Sequence, residues 1–205
     1  SKCVGVEALR LLLLSNGTPT LFVSAIGEGP GFSAVGIAAF LLFYGGEIAE
    51  TSTKTLDFAC CDYEEGWAPS VEQMGRVIGR ANGAIRDTNV QLRLSFRMCD
   101  VRYGLGHAKN RSLAAATQGG LADAFIFSFV LVENAQQLRA THWQFVAELL
   151  GACKQGPSGH APGDEEAQGD GKPRVALVMD STHRIFPELH EALGRGTGAA
   201  AASAA

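Results

Sequence analysis

Hydrophobic and polar residues follow one another along this chain in blocks that predict strands alternating with helices. Short apolar runs that end in a glycine turn or a polar cluster are typical of strands buried on both faces of a parallel sheet. Five such strands are predicted: Leu21 to Ile26, Thr55 to Cys61, Leu92 to Met98, Ala122 to Val132 and Arg174 to Met179. This alternation predicts an α/β fold with a doubly wound, mainly parallel, Rossmann-like sheet.

The segments between these strands carry apolar residues at helical spacing. The predicted helices are Val4 to Leu14, Gly31 to Phe43, Pro69 to Ala81, Arg111 to Thr117, Ala135 to Leu150 and Pro187 to Leu193. Gly45-Gly46 and Asn82-Gly83 are expected to end the second and third of these helices. The polar stretch 154–172 is predicted to be a surface insertion and the Gly/Ala-rich stretch 194–205 a disordered tail, so residues 1–193 are expected to form one domain.

The turn after the first strand carries the most specific signal in the sequence. Gly27, Gly29 and Gly31 fall within five positions, with Pro30 between the last two. Glycine accepts positive φ and lets a ligand approach the backbone, and free N–H groups at the start of the next helix face whatever lies over the turn. The spacing Gly29-x-Gly31-x-x-Ala34 also satisfies a dinucleotide-binding pattern, so an NAD(P)-dependent oxidoreductase and a plain turn without ligand both stay open.

Polar residues at the strand ends are expected to meet at one edge of the sheet. Asp62 follows the second strand, beside the glycine turn in a parallel sheet, where its carboxylate can accept both hydroxyls of a ribose. Its distance from the glycine loop, about thirty residues, exceeds the roughly twenty that are usual in dinucleotide-binding proteins. The alternative role for Asp62 is to cap the turn that follows it.

Composition limits the classes of partner. The chain has 205 residues, 46% of them hydrophobic, and a net charge of −4, so it offers no general electrostatic attraction to nucleic acid or to anionic membranes. An RNA partner would need a local basic patch, for which the candidates are Arg97, Arg102, Lys109 and Arg111. A solvated loop and helix surface is the alternative interpretation of those four cations.

The cysteines and the apolar runs indicate an intracellular protein rather than a secreted one. The five cysteines are odd in number and form no Cys-x-x-Cys pair, which favours buried reduced thiols over disulfides or a metal site. The longest apolar runs are too short to cross a bilayer, and Glu7 and Arg10 interrupt the apolar part of the first segment, unlike a secretory signal.

The Gly-x-Gly-Pro-Gly form of the loop resembles motif I of the class I S-adenosylmethionine-dependent methyltransferases. Further strings are similar to the successive strand-end motifs of a little-characterised eukaryotic branch of that class: Cys-Asp-Tyr-Glu-Glu-Gly-Trp, Phe-Arg-Met-Cys-Asp-Val, Phe-Ser-Phe-Val-Leu-Val-Glu-Asn and Val-Met-Asp-Ser-Thr-His-Arg. A more distant similarity is to the eukaryotic ribosomal-RNA uridine methyltransferases. The resemblance covers most of residues 20 to 190 and implies a methyltransferase that uses S-adenosylmethionine, with RNA among the acceptors to consider.

The resemblance also implies which residues bind and act. The implied cofactor-binding residues are Gly27, Glu28, Gly29, Pro30, Gly31, Asp62, Tyr63, Asp100, Val101 and Ser128. Asp100 would hold the adenine amino group, with a loop-capping aspartate as the alternative. Glu133 is hypothesised to orient the acceptor or take its proton, with Asn134 beside it. The alternatives are a favourable charge at the start of a helix for Glu133 and an N-cap for Asn134.

Two features depart from the pattern of the class. Ala25 stands where many of these enzymes carry an acidic residue, and Glu28 inside the loop is the candidate substitute. No good candidates for a sixth and a seventh strand follow Leu193, so the fold is expected to lack the last one or two strands. A catalytically silent Rossmann-like binding module therefore stays open beside the enzyme.

Overall fold

The computed structural model describes residues 19–48, 55–85, 90–118, 122–152, 175–179, 183–192 and 194. The strands are β1 (Thr20–Ile26), β2 (Thr55–Asp62), β3 (Gln91–Met98), β4 (Ala124–Ser128) and β5 (Val175–Met179). The helices are α1 (Phe32–Ile48), α2 (Ala68–Ile85), α3 (Arg111–Gln118), α4 (Val130–Glu133), α5 (Ala135–Ala140) and α6 (Gln144–Ala152). Short 3-10 helices lie at Glu65–Trp67, Ala108–Asn110 and His183–Ile185, and residues 186–192 are helical.

The five strands form one sheet in the order β3-β2-β1-β4-β5, and every neighbouring pair is parallel. The predicted α/β class and Rossmann-like, doubly wound sheet are confirmed. β1 lies at the centre, and the chain builds outward to β3 before it returns to β4 on the other side of β1. Ligands of such sheets bind outside the carboxyl ends of the strands, where the strand order reverses, which is here between β1 and β4.

Each face of the sheet is covered by its own apolar core, because successive side chains of a strand point to opposite faces. On one face Val23 and Phe58 pack with residues of α1 and α2, such as Leu41 and Val71. On the other face Phe127 packs with residues of α3, α5 and α6, among them Leu113, Leu138 and Phe145. The sheet is therefore a rigid platform that holds the loops at its carboxyl edge.

Two helices are longer than the sequence predicts. α1 continues through Gly45-Gly46 to Ile48, and α2 continues through Asn82-Gly83 to Ile85. Neither dipeptide therefore ends its helix. Glycine in a helix costs only about 1 kcal/mol relative to alanine. Packing of the preceding turns against the sheet outweighs that cost, so these glycines do not act as stop signals.

The fourth predicted strand is wrong in its second half. β4 ends at Ser128, Phe129 has a φ of 60°, and the apolar residues that follow form the short helix α4. A continuous apolar run does not by itself distinguish a buried strand from a buried helix. Glu133, predicted at the end of a strand, is instead the last residue of this helix.

The predicted helix Ala135 to Leu150 is also interrupted, between α5 and α6. His142 and Trp143 have φ values of 51° and 61°, and Trp143 is buried. The predicted helix Val4 to Leu14, the insertion 154–172 and all of the predicted tail except Gly194 lie outside the described residues.

Candidate functional site at the carboxyl edge of the sheet

The loop between β1 and α1 adopts a conformation that requires glycine. Gly27, Gly29 and Gly31 have φ values of 71°, 56° and 98°. The Gly27 N–H donates to the carbonyl of Cys61 across 2.8 Å, which holds the loop against the end of β2. A Cβ on Gly27 would lie 2.4 Å from the Cβ of Val130, so the loop also packs against α4 without room for a side chain. The predicted strand, glycine turn and helix are confirmed.

Asp62, the last residue of β2, joins the glycine loop to the turn after its own strand. One carboxylate oxygen accepts the Gly29 N–H at 2.9 Å, and the other accepts the Glu64 N–H at 3.0 Å. The side chain is buried. Asp62 therefore caps the following turn, as the alternative expectation had it, and also lies against the loop where a ribose ligand is predicted.

Glu28 places a second carboxyl group inside the loop. It is only 5% exposed, and its Oε1 accepts the Ser33 N–H at the start of α1. Its Oε2 is buried and has no hydrogen-bond partner. Burial raises the pKa of Glu28, the nearby Asp62 carboxylate raises it further, and the Ser33 hydroxyl with the Ser33 and Ala34 amides opposes these effects. The pKa is raised because the fold buries this carboxyl group and leaves one of its oxygens without a hydrogen bond.

Asp100, just past β3, is surrounded by cations of its own chain. Arg102 donates to both of its oxygens, Nε and Nη2 each at 2.7 Å, and Lys109 Nζ lies 3.2 Å away. Burial alone would raise the pKa of Asp100, but the hydrogen bonds from Arg102 and Lys109 lower it. Asn110 accepts the Asp100 N–H at 2.7 Å and so fixes the backbone there. A ligand amine at Asp100 would have to share this carboxylate with two cations.

Exposed aromatic side chains follow the carboxyl ends of four strands. All five large aromatic side chains that the described residues expose follow the ends of β1 to β4: Phe32, Tyr63, Trp67, Tyr103 and Phe129. The guanidinium carbon of Arg102 lies 4.9 Å from the centre of the Tyr63 ring, and a Cβ on Gly29 would lie 3.8 Å from Trp67 Nε1. Planar, partly apolar surface is thus concentrated where a ligand of this fold would bind.

The sequence motifs point to Tyr63, and to Arg102 only as part of a basic patch, but they do not point to Trp67 or Phe129, which also lie after strand ends. Trp67 belongs to the polar segment that begins at Asp62, so its position after a strand end was a usable signal. The stacking of Arg102 on Tyr63 depends on the way in which two separate loops meet. The positive φ of Phe129 depends on the point at which β4 ends.

The remaining predicted residues lie at the same edge but have different surroundings. Ser128, at the end of β4, lies with its Oγ 3.2 Å from that of Ser33 and so links β4 to the start of α1. Val101 is buried beside Asp100. Glu133 is exposed, and Asn134 donates from Nδ2 to the Val130 carbonyl at 2.9 Å without capping the next helix through its side chain. Asn134 therefore occupies the N-cap position of α5, as predicted, but its side chain makes no capping hydrogen bond, because its amide binds the preceding turn.

Three of the four cations proposed as a basic patch lie in two separate places, and the fourth, Arg111, is exposed at the start of α3. Arg97 lines a cavity of about 310 Å³ on the face of β1 to β3, together with Arg93 and Asp57. Arg102 and Lys109 are held by Asp100 at the carboxyl edge. Half of the predicted patch is thus neutralised in part by a buried carboxylate.

The three described cysteines agree with the expectation of reduced thiols. Cys60, Cys61 and Cys99 are free and buried. Within the described ranges no group of three or more His, Cys, Asp or Glu residues is arranged to hold a metal ion. In the same part of the chain, no helix has the length and hydrophobicity that crossing a membrane requires.

Comparison with known proteins adds no assignment to this geometry. No protein-family model matches the chain, and no curated protein is significantly similar to it in sequence.

Proposed function

We propose that this protein is an S-adenosylmethionine-dependent methyltransferase whose cofactor binds in the crevice between the ends of β1, β2 and β4. The observation that carries the proposal is the placement of Glu28. Its carboxyl group lies inside the glycine loop and accepts the Ser33 N–H at the start of α1. A carboxyl group in that place selects between the two cofactor classes that the glycine spacing allows.

A dinucleotide would meet an unfavourable environment in this loop. Enzymes that bind NAD or FAD through a glycine-rich turn place the pyrophosphate on the N–H groups at the start of the helix. Here one of those groups is already bound by Glu28, whose buried carboxylate would also repel a phosphate. S-adenosylmethionine has no phosphate, and its sulfonium and ammonium groups are cations.

The other features of the crevice support the same cofactor. The positive φ of Gly27, Gly29 and Gly31, with Pro30 between the last two, allows close approach of a ligand. Asp62 keeps its carboxylate at the loop, where it can accept the ribose hydroxyls. Tyr63 and Trp67 expose ring surface on which the adenine can stack, and Val101 and Ser128 are assigned to the lining of the crevice. We assign Asp100 to holding Arg102 against Tyr63, since its oxygens are already engaged by cations.

Bound S-adenosylmethionine would supply an electrophilic methyl group, and the chain would supply alignment of the acceptor and exclusion of water. Glu133 and Asn134 follow β4 by one helical turn, next to the exposed Phe129. We propose that Phe129 contacts the acceptor and that Glu133 orients it or takes its proton, with Asn134 holding the α4 backbone through Val130. RNA is the first acceptor class to test, because exposed aromatic rings stack on unpaired bases.

Calorimetric titration with S-adenosylmethionine, S-adenosylhomocysteine and NAD tests the proposal. The first two should bind saturably and NAD should not. Asp62→Ala should abolish or strongly weaken that binding. Asp57→Ala should leave it unchanged, because Asp57 is on the same strand but lines the cavity that contains Arg93 and Arg97. Binding of NAD alone would replace the proposal with the oxidoreductase. Binding of S-adenosylhomocysteine without methyl transfer to any acceptor would favour a silent module.

A further inference from the structure

We infer that the cavity on the face of β1 to β3 is a ligand site separate from the cofactor crevice, and that it takes a small sugar phosphate. The cavity has a volume of about 310 Å³ and is lined by all three strands and by Ala116 of α3. This volume is at the lower end of the range, about 300–1,000 Å³, that is usual for small-molecule sites. None of the lining residues is assigned to the cofactor, so the two sites can be tested independently.

The side chains at this cavity are polar, whereas the opposite face of the same strands is apolar. Successive side chains of a strand point to opposite faces of a sheet. Residues such as Phe58 and Leu92 lie on the face that α1 and α2 cover. The cavity, on the other face, is lined by two hydroxyls, a carboxylate and two guanidinium groups, from Ser24, Ser95, Asp57, Arg93 and Arg97. Parallel sheets are normally apolar on both faces, so this polar group distinguishes the cavity from the two cores.

Arg93 and Arg97 make the cavity a site for an anion. Arg97 is half-buried, and its guanidinium forms no hydrogen bond or ion pair with any other residue that the structure describes. Arg93 donates to Gln91 Oε1 from Nε at 3.3 Å and from Nη2 at 3.1 Å, which leaves Nη1 available. Two guanidinium groups against one carboxylate give the cavity a positive balance, in a chain whose net charge is −4. A phosphate monoester carries close to two negative charges and so matches two guanidinium groups better than a single carboxylate does.

Asp57 indicates what the other end of the ligand must carry. Its half-buried carboxylate also lacks a hydrogen-bond or ion-pair partner in the described part of the chain, although Arg93 lies opposite it in the register of β2 and β3. Arg97 is in register with Cys61, four residues after Asp57, so the Cα atoms of Asp57 and Arg97 are about 13 Å apart along the sheet. The two side chains therefore do not neutralise each other, and a ligand can lie between them.

The donor that Asp57 accepts is best supplied by hydroxyl groups. An ionised carboxylate only accepts hydrogen bonds, so the ligand has to bring the donors. Arg93 beside Asp57 disfavours an ammonium group, because like charges repel. Phe22, in register with Asp57 on β1, adds apolar surface for the C–H groups of a sugar. A phosphate at one end and hydroxyl groups on a short carbon chain or ring describe a sugar phosphate.

Calorimetric titrations with ribose 5-phosphate, ribose and inorganic phosphate test this site at constant ionic strength, which removes general screening effects. The proteins are the wild type, Arg97→Gln, Asp57→Ala and two controls. Arg80→Gln alters an exposed cation of α2, the helix on the other face of the sheet. Asp62→Ala alters the carboxylate of the cofactor crevice. A cooperative urea unfolding transition shows that each variant is folded.

The wild type should bind ribose 5-phosphate more tightly than inorganic phosphate and should not bind ribose measurably. Arg97→Gln should weaken both phosphate ligands by roughly 10- to 100-fold, the range expected for lost hydrogen bonds to a charged group. Asp57→Ala should weaken ribose 5-phosphate by about tenfold or more without weakening inorganic phosphate, because Asp57 is assigned to the hydroxyl groups. Neither control should change either affinity.

Four results would overturn the inference. Ribose 5-phosphate binding that Arg97→Gln leaves unchanged, or that Arg80→Gln weakens equally, would remove the ligand from this cavity. Weakening by Asp62→Ala would place the sugar phosphate in the cofactor crevice instead. Equal affinity for inorganic phosphate and ribose 5-phosphate would mean that the site takes a bare anion. Failure of the wild type to bind any of the three probes would overturn the site and leave the proposed function standing.

Discussion

The Gly29 N–H donates to the Asp62 carboxylate across 2.9 Å, and this bond joins the loop after β1 to the end of β2. The Gly27 N–H makes a second link to β2, at the Cys61 carbonyl. The glycine loop is therefore held from the neighbouring strand as well as by its own turn. The loop and Asp62 therefore form one structural unit, and it is at this unit that we propose the cofactor binds.

Gly27→Ala should destabilise the protein by about 3 kcal/mol, because the new Cβ would meet Val130 at 2.4 Å in a backbone with a φ of 71°. Urea denaturation measures the change in the free energy of unfolding. Gly36→Ala is the matched control, since a Cβ there meets nothing within 4 Å in α1, and it should stabilise by up to about 1 kcal/mol. Adding Val130→Ala to Gly27→Ala should recover part of the loss. Equal effects of the two glycine substitutions would contradict the described loop.

Glu28→Gln should change stability in a pH-dependent way. The pKa of Glu28 in the folded protein is raised above its ordinary value of 4.5, with burial as the main cause. The contribution of Glu28 to stability is thus fully present below that value and is lost as pH rises through the raised pKa. The free energy of unfolding of Glu28→Gln minus that of the wild type should therefore be larger near pH 7 than near pH 4, so the variant gains stability relative to the wild type as pH rises. The same difference at both values, in parallel urea titrations, would contradict the burial of a carboxyl in the loop.

Arg102→Met should lower the free energy of unfolding by about 1–2 kcal/mol near neutral pH, because it removes one partner of the buried Asp100. A loss near 1 kcal/mol is expected, because the Arg102 side chain is 37% exposed and water screens its charge. Arg76→Met is the control, for its pair with Glu72 is exposed on both sides and should contribute less than about 0.5 kcal/mol.

The sign of the pH dependence gives a second test of this cluster. Because the pKa of Asp100 is lowered from 3.8, its contribution is present above that value and is lost as pH falls through the lowered pKa. The loss caused by Arg102→Met should consequently shrink in strong acid. A loss that stays constant with pH would mean that packing of the Arg102 side chain, and not its charge, stabilises the loop.

Cys60, Cys61 and Cys99 should react with iodoacetamide on the order of 100-fold or more slowly in the folded protein than in urea. Burial raises the pKa of Cys61 to about 12, and it raises the pKa of the other two as well, so little thiolate is present near pH 8. Tandem mass spectrometry measures each site separately, because fragmentation distinguishes a label on Cys60 from one on the adjacent Cys61. Rapid labelling of Cys60 in the folded protein would show that solvent reaches the thiol that packs against Gly31 of the glycine loop.

The sequence predicts the sheet well because its signals are local. Each strand is a short apolar run, and the glycine loop and Asp62 follow strand ends that parallel pairing brings together. The failures have a common physical origin. The run from Ala122 to Val132 is apolar throughout, so only tertiary packing decides that β4 ends at Ser128 and that α4 begins two residues later.

The contacts that these side chains make are less predictable than the strand ends that they follow. Asp100 is correctly placed after β3, but its role depends on Arg102 and Lys109 turning back onto it, which follows from the path of the loop and not from residue type. Likewise, the sequence names Glu28 as a candidate but does not show that one of its oxygens is buried without a partner.

Amide spectra of protein carrying nitrogen-labelled glycine, titrated with S-adenosylhomocysteine, test the central claim most directly. The claim is that the cofactor binds at the glycine loop beside Asp62. The signals of Gly27, Gly29 and Gly31 should move saturably, while those of Gly75 and Gly79 in α2 stay fixed. NAD should leave all five in place. Unmoved loop signals with S-adenosylhomocysteine, or movement caused by NAD alone, would contradict the account.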